Sequence, residues 1–451
     1  MDFAAIYLTV VRFILPVLAV LFVWALVHTL FSEPVFFKNK KKKSKKKGGI
    51  SQKSWPGFCI LLLILFQLLC TIQMILAVRE DYLLSTLICF SSLIVITVIC
   101  VLLSAHFRKI PAGLEMMAFF LTTLGFCVAA SAEPSSLYKL LAALALGVVC
   151  FYILLALLQK KEFVVKSRYV ILGMALLLLF LTVFLGEVRH GAQNWIDLKW
   201  FTIQPSELVK ALFILASAGI AYRERTRVSA IVMSIFCVIC MGVFAYSADF
   251  GSALIYFVTY FILLFLTCRS RVFIGSVMGL SLVGGGAATQ VEYVKKRFSI
   301  WGKAFELANN EGYQQSRTLI AIASGGLLGL GGGKGFLRTV VASDTDLVFG
   351  ILCEEWGLIV ALCVIVCLVL LFMYALQNTK QGADPFYCLI SLGAAGLLLF
   401  QTALNLFGST DVLPLTGVTL AFVSNGGTSM VACWILLALI VLPVSERRKS
   451  A

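Results

Sequence analysis

Near the middle of the chain, Gln204-Pro205-Ser206-Glu207 is followed by Lys210. Gln204, Glu207 and Lys210 recur at i, i+3 and i+6, so on a helix they share one face. Pro205 suits the first turn of that helix, where its missing N–H has no partner to lose. The residues that follow are apolar, which puts Glu207 and Lys210 near or below a membrane surface. Ionisable groups at that depth are costly and usually face a polar cavity. The other open reading is a buried Glu–Lys pair that holds helices together. Asp249, in Ala248-Asp249-Phe250-Gly251-Ser252, is placed to cap a helix N-terminus, where the dipole favours an acid. Asp346, Glu354 and Glu355 lead into a later apolar run. Glu354 and Glu355 are adjacent and point in different directions, so only one can face a cavity. Near the end, Leu415-Thr416-Gly417-Val418 leads into Ser424-Asn425-Gly426-Gly427-Thr428-Ser429. Small residues inside a span mean either close helix packing or a broken helix lining a cavity. A long polar stretch adds Glu292, Arg297, Lys303, Glu306, Glu311, Tyr313 and Arg317.

The elements that must position these residues are membrane helices. The chain has 451 residues, 61% of them hydrophobic and 13% charged, against about 25% charged in soluble domains. So few charges cannot clothe a water-facing surface, so lipid is the solvent for much of the chain. Apolar runs of about 17 to 25 residues mark spans. They fall at 4–31, 57–78, 82–105, 112–131, 138–158, 169–186, 207–222, 230–247, 249–267, 272–290, 348–374, 387–407 and 419–443. The fold class is therefore an all-α polytopic membrane protein of about 13 transmembrane helices. The first run is too long for a signal-peptide core and reads as retained.

Net charge is +15, and its placement sets the orientation. Lys38, Lys40 to Lys43 and Lys45 to Lys47 form one block between two spans. Nucleic-acid binding is one reading of such a block; between two spans it reads instead as a cytoplasmic anchor to anionic membrane lipids. With this block inside, alternate loops are also inside and basic: Arg108-Lys109, Lys160-Lys161 with Lys166 and Arg168, Arg223 to Arg227, Arg269 and Arg271, Lys380, and Arg447 to Lys449. The positive-inside rule then places the N-terminus outside and the C-terminus inside the cytoplasmic membrane. Two outside segments exceed plain connectors: 186–206 and 291–346. Loops as long as the second are uncommon without a functional reason. It carries Gly325-Gly326 and Gly331 to Gly335. Gly333-Lys334-Gly335 lacks the hydroxyl of a nucleotide P-loop, so this tract is expected to let backbone lie close to a membrane surface or lipid headgroup. Most of the 14 cysteines sit in apolar runs, and the 3 histidines are scattered. They read as packing residues, with no metal cluster.

These motifs, in this order, resemble the SEDS family (shape, elongation, division and sporulation; FtsW, RodA and SpoVE). Gly191-Ala192-Gln193-Asn194-Trp195-Ile196 with Gln204 to Glu207 and Lys210 resembles its first signature. Asp249-Phe250-Gly251-Ser252-Ala253 resembles its second, with Ala248 in place of proline. Gly312-Tyr313-Gln314, Ala323 to Leu327, Asp346, Glu354 to Gly357, Gln401, Asn405, Pro414 to Gly417 and Ser424 to Ser429 complete the series. Ala421 stands there for a usual proline and Asn425 for a usual tyrosine. The resemblance covers roughly 112–445. It implies a core of about ten helices at 106–451, with the large extracytoplasmic loop at 291–346. Residues 1–105 would be an added three-helix unit that carries the lysine block.

The resemblance also implies a peptidoglycan glycosyltransferase. Such a protein polymerises lipid II, the undecaprenyl-pyrophosphate-linked disaccharide-peptide, at the outer face of the cytoplasmic membrane. It does so beside a class B penicillin-binding protein transpeptidase, in division, elongation or sporulation. The family's base is an aspartate a few residues before the Gly-Tyr-Gln segment. That position falls at or beside Leu307, so Glu306 is expected as the catalytic base, with Glu311 as a substitute or an inactive member as the other readings. Arg297 and Arg317 are expected to hold pyrophosphate. Lys210, Glu207, Gln204, Asp249, Ser424 and Thr428 are expected to line or shape the substrate cavity. No cofactor is assigned with certainty. A divalent cation, Mg or Mn, would suit the leaving group, but no ligand set is visible. The alternatives are a non-catalytic scaffold for a cell-wall synthase and a lipid II flippase.

Overall fold

In lipid, every backbone N–H and C=O must find its partner inside the protein, and long apolar segments meet this demand as helices. A computed structural model of the chain describes residues 3–31, 55–108, 112–189, 192–199, 201–224, 227–380 and 384–447. The lysine block at 38–47 lies outside them, as do Gly191 and Arg448 to Lys449. In chain order the helices are α1 (Phe3–Phe31), α2 (Trp55–Ala77), α3 (Leu83–Leu103), α4 (Gly113–Ala132), α5 (Leu137–Leu157), α6 (Lys161–Lys166), α7 (Arg168–Leu185) and α8 (Pro205–Glu224). They continue with α9 (Arg227–Tyr246), α10 (Phe250–Thr267), α11 (Arg271–Ala288), α12 (Glu292–Ile300), α13 (Tyr313–Gly325), α14 (Val348–Ile351), α15 (Gly357–Lys380), α16 (Pro385–Ser409) and α17 (Gly427–Arg447).

Among the described residues, twelve helical stretches are long and apolar enough to cross a membrane, and Gly427–Pro443 is a shorter apolar one. Side chains such as Phe184 and Val272 face outward and are 79% and 80% exposed. A surface of this kind is stable only against lipid tails. The chain is a multi-pass membrane protein.

The bundle is built around α4, which is buried from Gly113 to Ser131. It packs against α1, α2, α3, α5 and α17. Polar links pin this seam: the Gln67 amide donates to Thr97 and Thr123, each at 3.1 Å, and so joins α2, α3 and α4. A second apolar cluster joins α7, α8, α9 and α10. α11 rests on this cluster through Phe273, Ile274 and Val277, but no residue along its length is fully buried.

Two local features depart from the simple helical expectation. Residues 187–203 fold into a small antiparallel sheet in the order β1 (Glu187–Arg189), β2 (Ala192–Asp197), β3 (Thr202–Ile203). Its alternation runs over too few residues to stand out from a loop. The last span was expected from 419, but α17 begins at Gly427. Residues 410–426 are irregular: Gly417 and Phe422 hold φ of +69° and +64°, and the Ser424 hydroxyl accepts the Leu420 N–H at 2.8 Å and donates to the Thr345 carbonyl at 2.6 Å. Of the two readings of this small-residue stretch, the structure shows a broken segment lining a cavity.

Candidate functional site

Five connections that alternate along the chain converge on one end of the bundle: the α4–α5 turn, the sheet between α7 and α8, the α9–α10 turn, the long segment after α11, and residues 416–429. Together they enclose a polar cavity of about 540 Å³. Because two antiparallel helices separate each connection from the next, all five lie on the same side of the membrane.

α8 supplies the floor. Gln204 and Glu207 line the cavity. Lys210 does not: it lies beneath, 1% exposed, and donates to Glu207 Oε1 at 2.6 Å and Gln401 Oε1 at 2.8 Å. Gln401 in turn donates to the Thr419 carbonyl and hydroxyl at 3.0 Å. The i, i+3, i+6 face therefore forms both structures that the spacing allowed, a cavity wall and a buried ion pair sealing its base. Asp249 lines the cavity and caps α10. One of its oxygens accepts the Ser252 N–H at 2.9 Å and the other accepts the Asn194 side-chain amide. The sheet thereby fixes the cap.

Arg297 lines the cavity. Its guanidinium donates to the Leu415 carbonyl and the Tyr293 hydroxyl, both at 2.6 Å, and Tyr293 stacks on Phe250. Five N–H groups serve a guanidinium, so donors remain for an anion. Thr428 also lines the cavity, and its hydroxyl accepts the Gln204 N–H at 3.3 Å. Ser424 is buried behind the wall, tying residue 420 to Thr345.

Two expected site residues lie elsewhere. Glu306 is exposed and off the cavity lining. Residues 301–312 fold back on themselves through Leu307 N–H to Lys303 O (3.1 Å) and Gly312 N–H to Leu307 O (3.1 Å). This tucks Ala304 inward and turns Glu306 out. Arg317 is also exposed, and its guanidinium lies 5.1 Å from the Tyr313 ring centre one turn earlier on α13. The turn itself is tethered to the far loop, with Trp301 donating to the Asp411 and Val412 carbonyls.

Neither Glu354 nor Glu355 lines the cavity, although the spacing allowed one of them to do so. A π-type turn at Leu352–Trp356 directs both toward the glycine tract. Glu354 accepts the N–H groups of Phe336 and Leu337, each at 2.9 Å. Glu355 accepts those of Gly333 (2.9 Å) and Gly335 (3.2 Å), plus the Ser131 hydroxyl. The glycines thus bring backbone to buried carboxylates, not to a membrane surface. A Cβ at Gly335 would lie 2.6 Å from Glu354 Oε2.

The cavity also holds residues that motif reading passed over: Glu133, Ser136, Lys139 and Asp344. Asp344 accepts from the Asn425 side-chain amide at 2.8 Å, and that amide also donates to Ser136. Burial pushes the Asp344 carboxyl above the usual range; the Asn425 amide pulls it back and the Glu133 carboxylate raises it further. The available signal was parity: Glu133 and Lys139 flank a turn on the same side as the other loops of the site, and Asp344 stands two residues before Asp346. Among the described residues, no group of three or more His, Cys, Asp or Glu side chains could hold a metal ion.

Residues 114–450 match the FtsW/RodA/SpoVE cell cycle protein family. The chain belongs to this family. Over 364 residues it is 30% identical to a probable peptidoglycan glycosyltransferase FtsW of Tolumonas auensis, covering 74% of this chain and 92% of that one. It is 29% identical over 305 residues to the probable peptidoglycan glycosyltransferase FtsW of Bacillus subtilis, covering 62% and 74%. The crystal structure of the Thermus thermophilus rod shape determining protein RodA superposes with a TM-score of 0.56 at 25% identity, covering 75% of this chain and 97% of that one. A chain of a peptidoglycan synthase complex that coordinates polymerization and crosslinking gives 0.61 at 27% identity, covering 74% and 97%.

Proposed function

We propose that this chain is a peptidoglycan glycosyltransferase that polymerises lipid II at the outer face of the cytoplasmic membrane, beside a class B penicillin-binding protein transpeptidase. One observation carries the reading. The polar cavity places a guanidinium (Arg297), an ammonium (Lys139) and several carboxylates within one wall, at the end of the bundle that the basic loops assign to the outside. Family membership supplies the reaction class, since relatives are named peptidoglycan glycosyltransferases.

The chemistry follows from charge. The leaving group is a lipid pyrophosphate, and cations fixed before the reaction stabilise the charge that develops on it. Arg297 is held from two sides and Lys139 stands on the α5 turn, so both can contact such an anion without large reorganisation. α11, which packs along Phe273, Ile274 and Val277 and buries none of its residues fully, presents a lipid-facing flank next to the segment that carries Arg297, suited to a polyprenyl tail. Gln204, Asp249 and Thr428 shape the wall that receives the sugars, while Lys210 and Ser424 hold it from behind. Glu306 lies off this wall, so a cavity carboxylate must take the proton.

The sealed floor supports polymerisation over translocation. Below Glu207, Lys210 bonds to Gln401 and Gln401 to Thr419, and Phe213 and Ile214 are buried on the next turn, which closes this floor among the described residues. Purified protein given fluorescent lipid II, with and without its transpeptidase, tests the proposal. Glycan chains are expected, and they should be lost on Arg297→Ala. Headgroup movement across vesicles without polymer would refute it. Stable partner binding without polymer, under any condition, would establish the scaffold instead.

A further inference from the structure

We infer that Asp344 is the general base that takes the proton from the acceptor sugar hydroxyl, and that Asn425 is the positioning residue that aims it. The inference rests on the polymerase reading above. It begins from the carboxylates on the cavity wall. Glu207 is engaged by Lys210, and Asp346, with Oδ2 against Gly417, is already engaged. Both oxygens of Asp249 are occupied, one by Ser252 and one by Asn194. Glu133 is exposed at the rim. Asp344 combines a place on the wall, partial burial and an oxygen fixed by a single side-chain amide. Its backbone is held as well: the Asn425 N–H donates to the Asp344 carbonyl at 2.8 Å, and Ser424 grips Thr345 next door. Ala342, two residues earlier, adopts φ of +59°. A non-glycine residue there is uncommon, and such strain clusters where the surroundings over-determine a conformation.

In the proposed step the acceptor hydroxyl oxygen attacks the donor anomeric carbon. The bond from that carbon to the lipid pyrophosphate breaks, and its electron pair leaves with the pyrophosphate. The hydroxyl proton passes to the Asp344 carboxylate. A base works best when its pKa lies near the operating pH, and burial moves Asp344 upward toward it. The charged groups that share its cavity are Glu133, Lys139, Asp346, Arg297, Glu207 and Asp249.

The test uses the full-length protein and fluorescent lipid II. Asp344→Asn is isosteric and is expected to lose on the order of 10²- to 10⁴-fold in kcat, the usual yield of general-base catalysis, while KM stays within about threefold. The pH–rate profile separates chemistry from folding. Asn425→Ala removes a donor to the carboxylate, so the acid limb should move to higher pH. Glu133→Gln removes a neighbouring negative charge, so it should move to lower pH. Glu306→Gln should keep most activity. Asp344→Asn turning over within threefold of wild type, acid limbs that do not move, or a loss confined to Glu306→Gln would each overturn the assignment. Wild-type protein that makes no polymer with its transpeptidase would instead sink the polymerase reading, and this inference with it. Polymer from wild type and from Asp344→Asn alike would sink only the assignment.

Discussion

Replacing Lys210 with methionine removes the ammonium from under the cavity floor and keeps most of its volume. Glu207 then loses its counter-charge at 2.6 Å, and Gln401 Oε1 loses its donor at 2.8 Å, in a site where Lys210 is 1% and Glu207 6% exposed. Removing one partner of a buried pair costs about 3–5 kcal/mol, because the other charge stays buried and unpaired. The orphaned amide oxygen adds about 1–3 kcal/mol. Glu207→Gln combined with Lys210→Met abolishes both charges and should recover most of the loss, since well-packed neutral replacements of buried pairs are often near neutral. The assay is reversible unfolding in mixed micelles for the wild type, both single variants and the double variant. A coupling energy above about 2 kcal/mol is expected for groups in direct contact. Single-variant effects below about 1 kcal/mol, or simple additivity in the double variant, would refute the buried pair and with it the sealed floor.

Asp249→Ala removes the α10 cap and frees the Asn194 amide; helix-cap losses run at about 1 kcal/mol, so a modest fall in unfolding free energy is expected alongside loss of polymerisation. Gly325→Ala would drive a Cβ into the Cys353 carbonyl oxygen; overpacking of this kind costs about 1–3 kcal/mol, read as reduced yield of folded protein and a lower melting temperature. Stability should also report on Asp344. Its folded-state carboxyl is raised, so the folded state binds more protons than the unfolded one, and stability falls as pH rises through the folded value. Asp344→Asn removes that penalty and should match or exceed wild-type stability at neutral pH, with the gain vanishing at acidic pH; an Asp344→Asn protein less stable than wild type at pH 7 would contradict it. Single cysteines placed near Arg79 and Lys45 in an otherwise cysteine-free chain should react with an impermeant thiol reagent from the outside and inside respectively; the reverse pattern would overturn the charge-based orientation.

Much of the architecture was legible in the residues because lipid imposes a one-dimensional rule: a span must be long and apolar, whatever it packs against. The positions of the helices follow from this, and so does the parity of the basic loops. The Gln204–Glu207–Lys210 face was also legible, since i, i+3 spacing is fixed by the helix alone. Spacing within one element could not say which of those three side chains touches the cavity. That depended on Gln401 and Thr419 arriving from the other end of the chain.

The sequence by itself determined a polytopic helical bundle, its motif series, and that Asp249 would sit at a helix start. Tertiary structure alone decided that Glu354 and Glu355 clamp the glycine tract, because a π-type turn realigns two adjacent side chains that a regular helix would splay apart. It alone turned Glu306 outward, through backbone hydrogen bonds within 301–312, and gathered Glu133, Asp344 and Asn425 from segments nearly three hundred residues apart. Helix content and depth depend on local hydrophobicity, whereas a cavity wall is set by which side chains share a space once the helices have packed, and no local pattern records that.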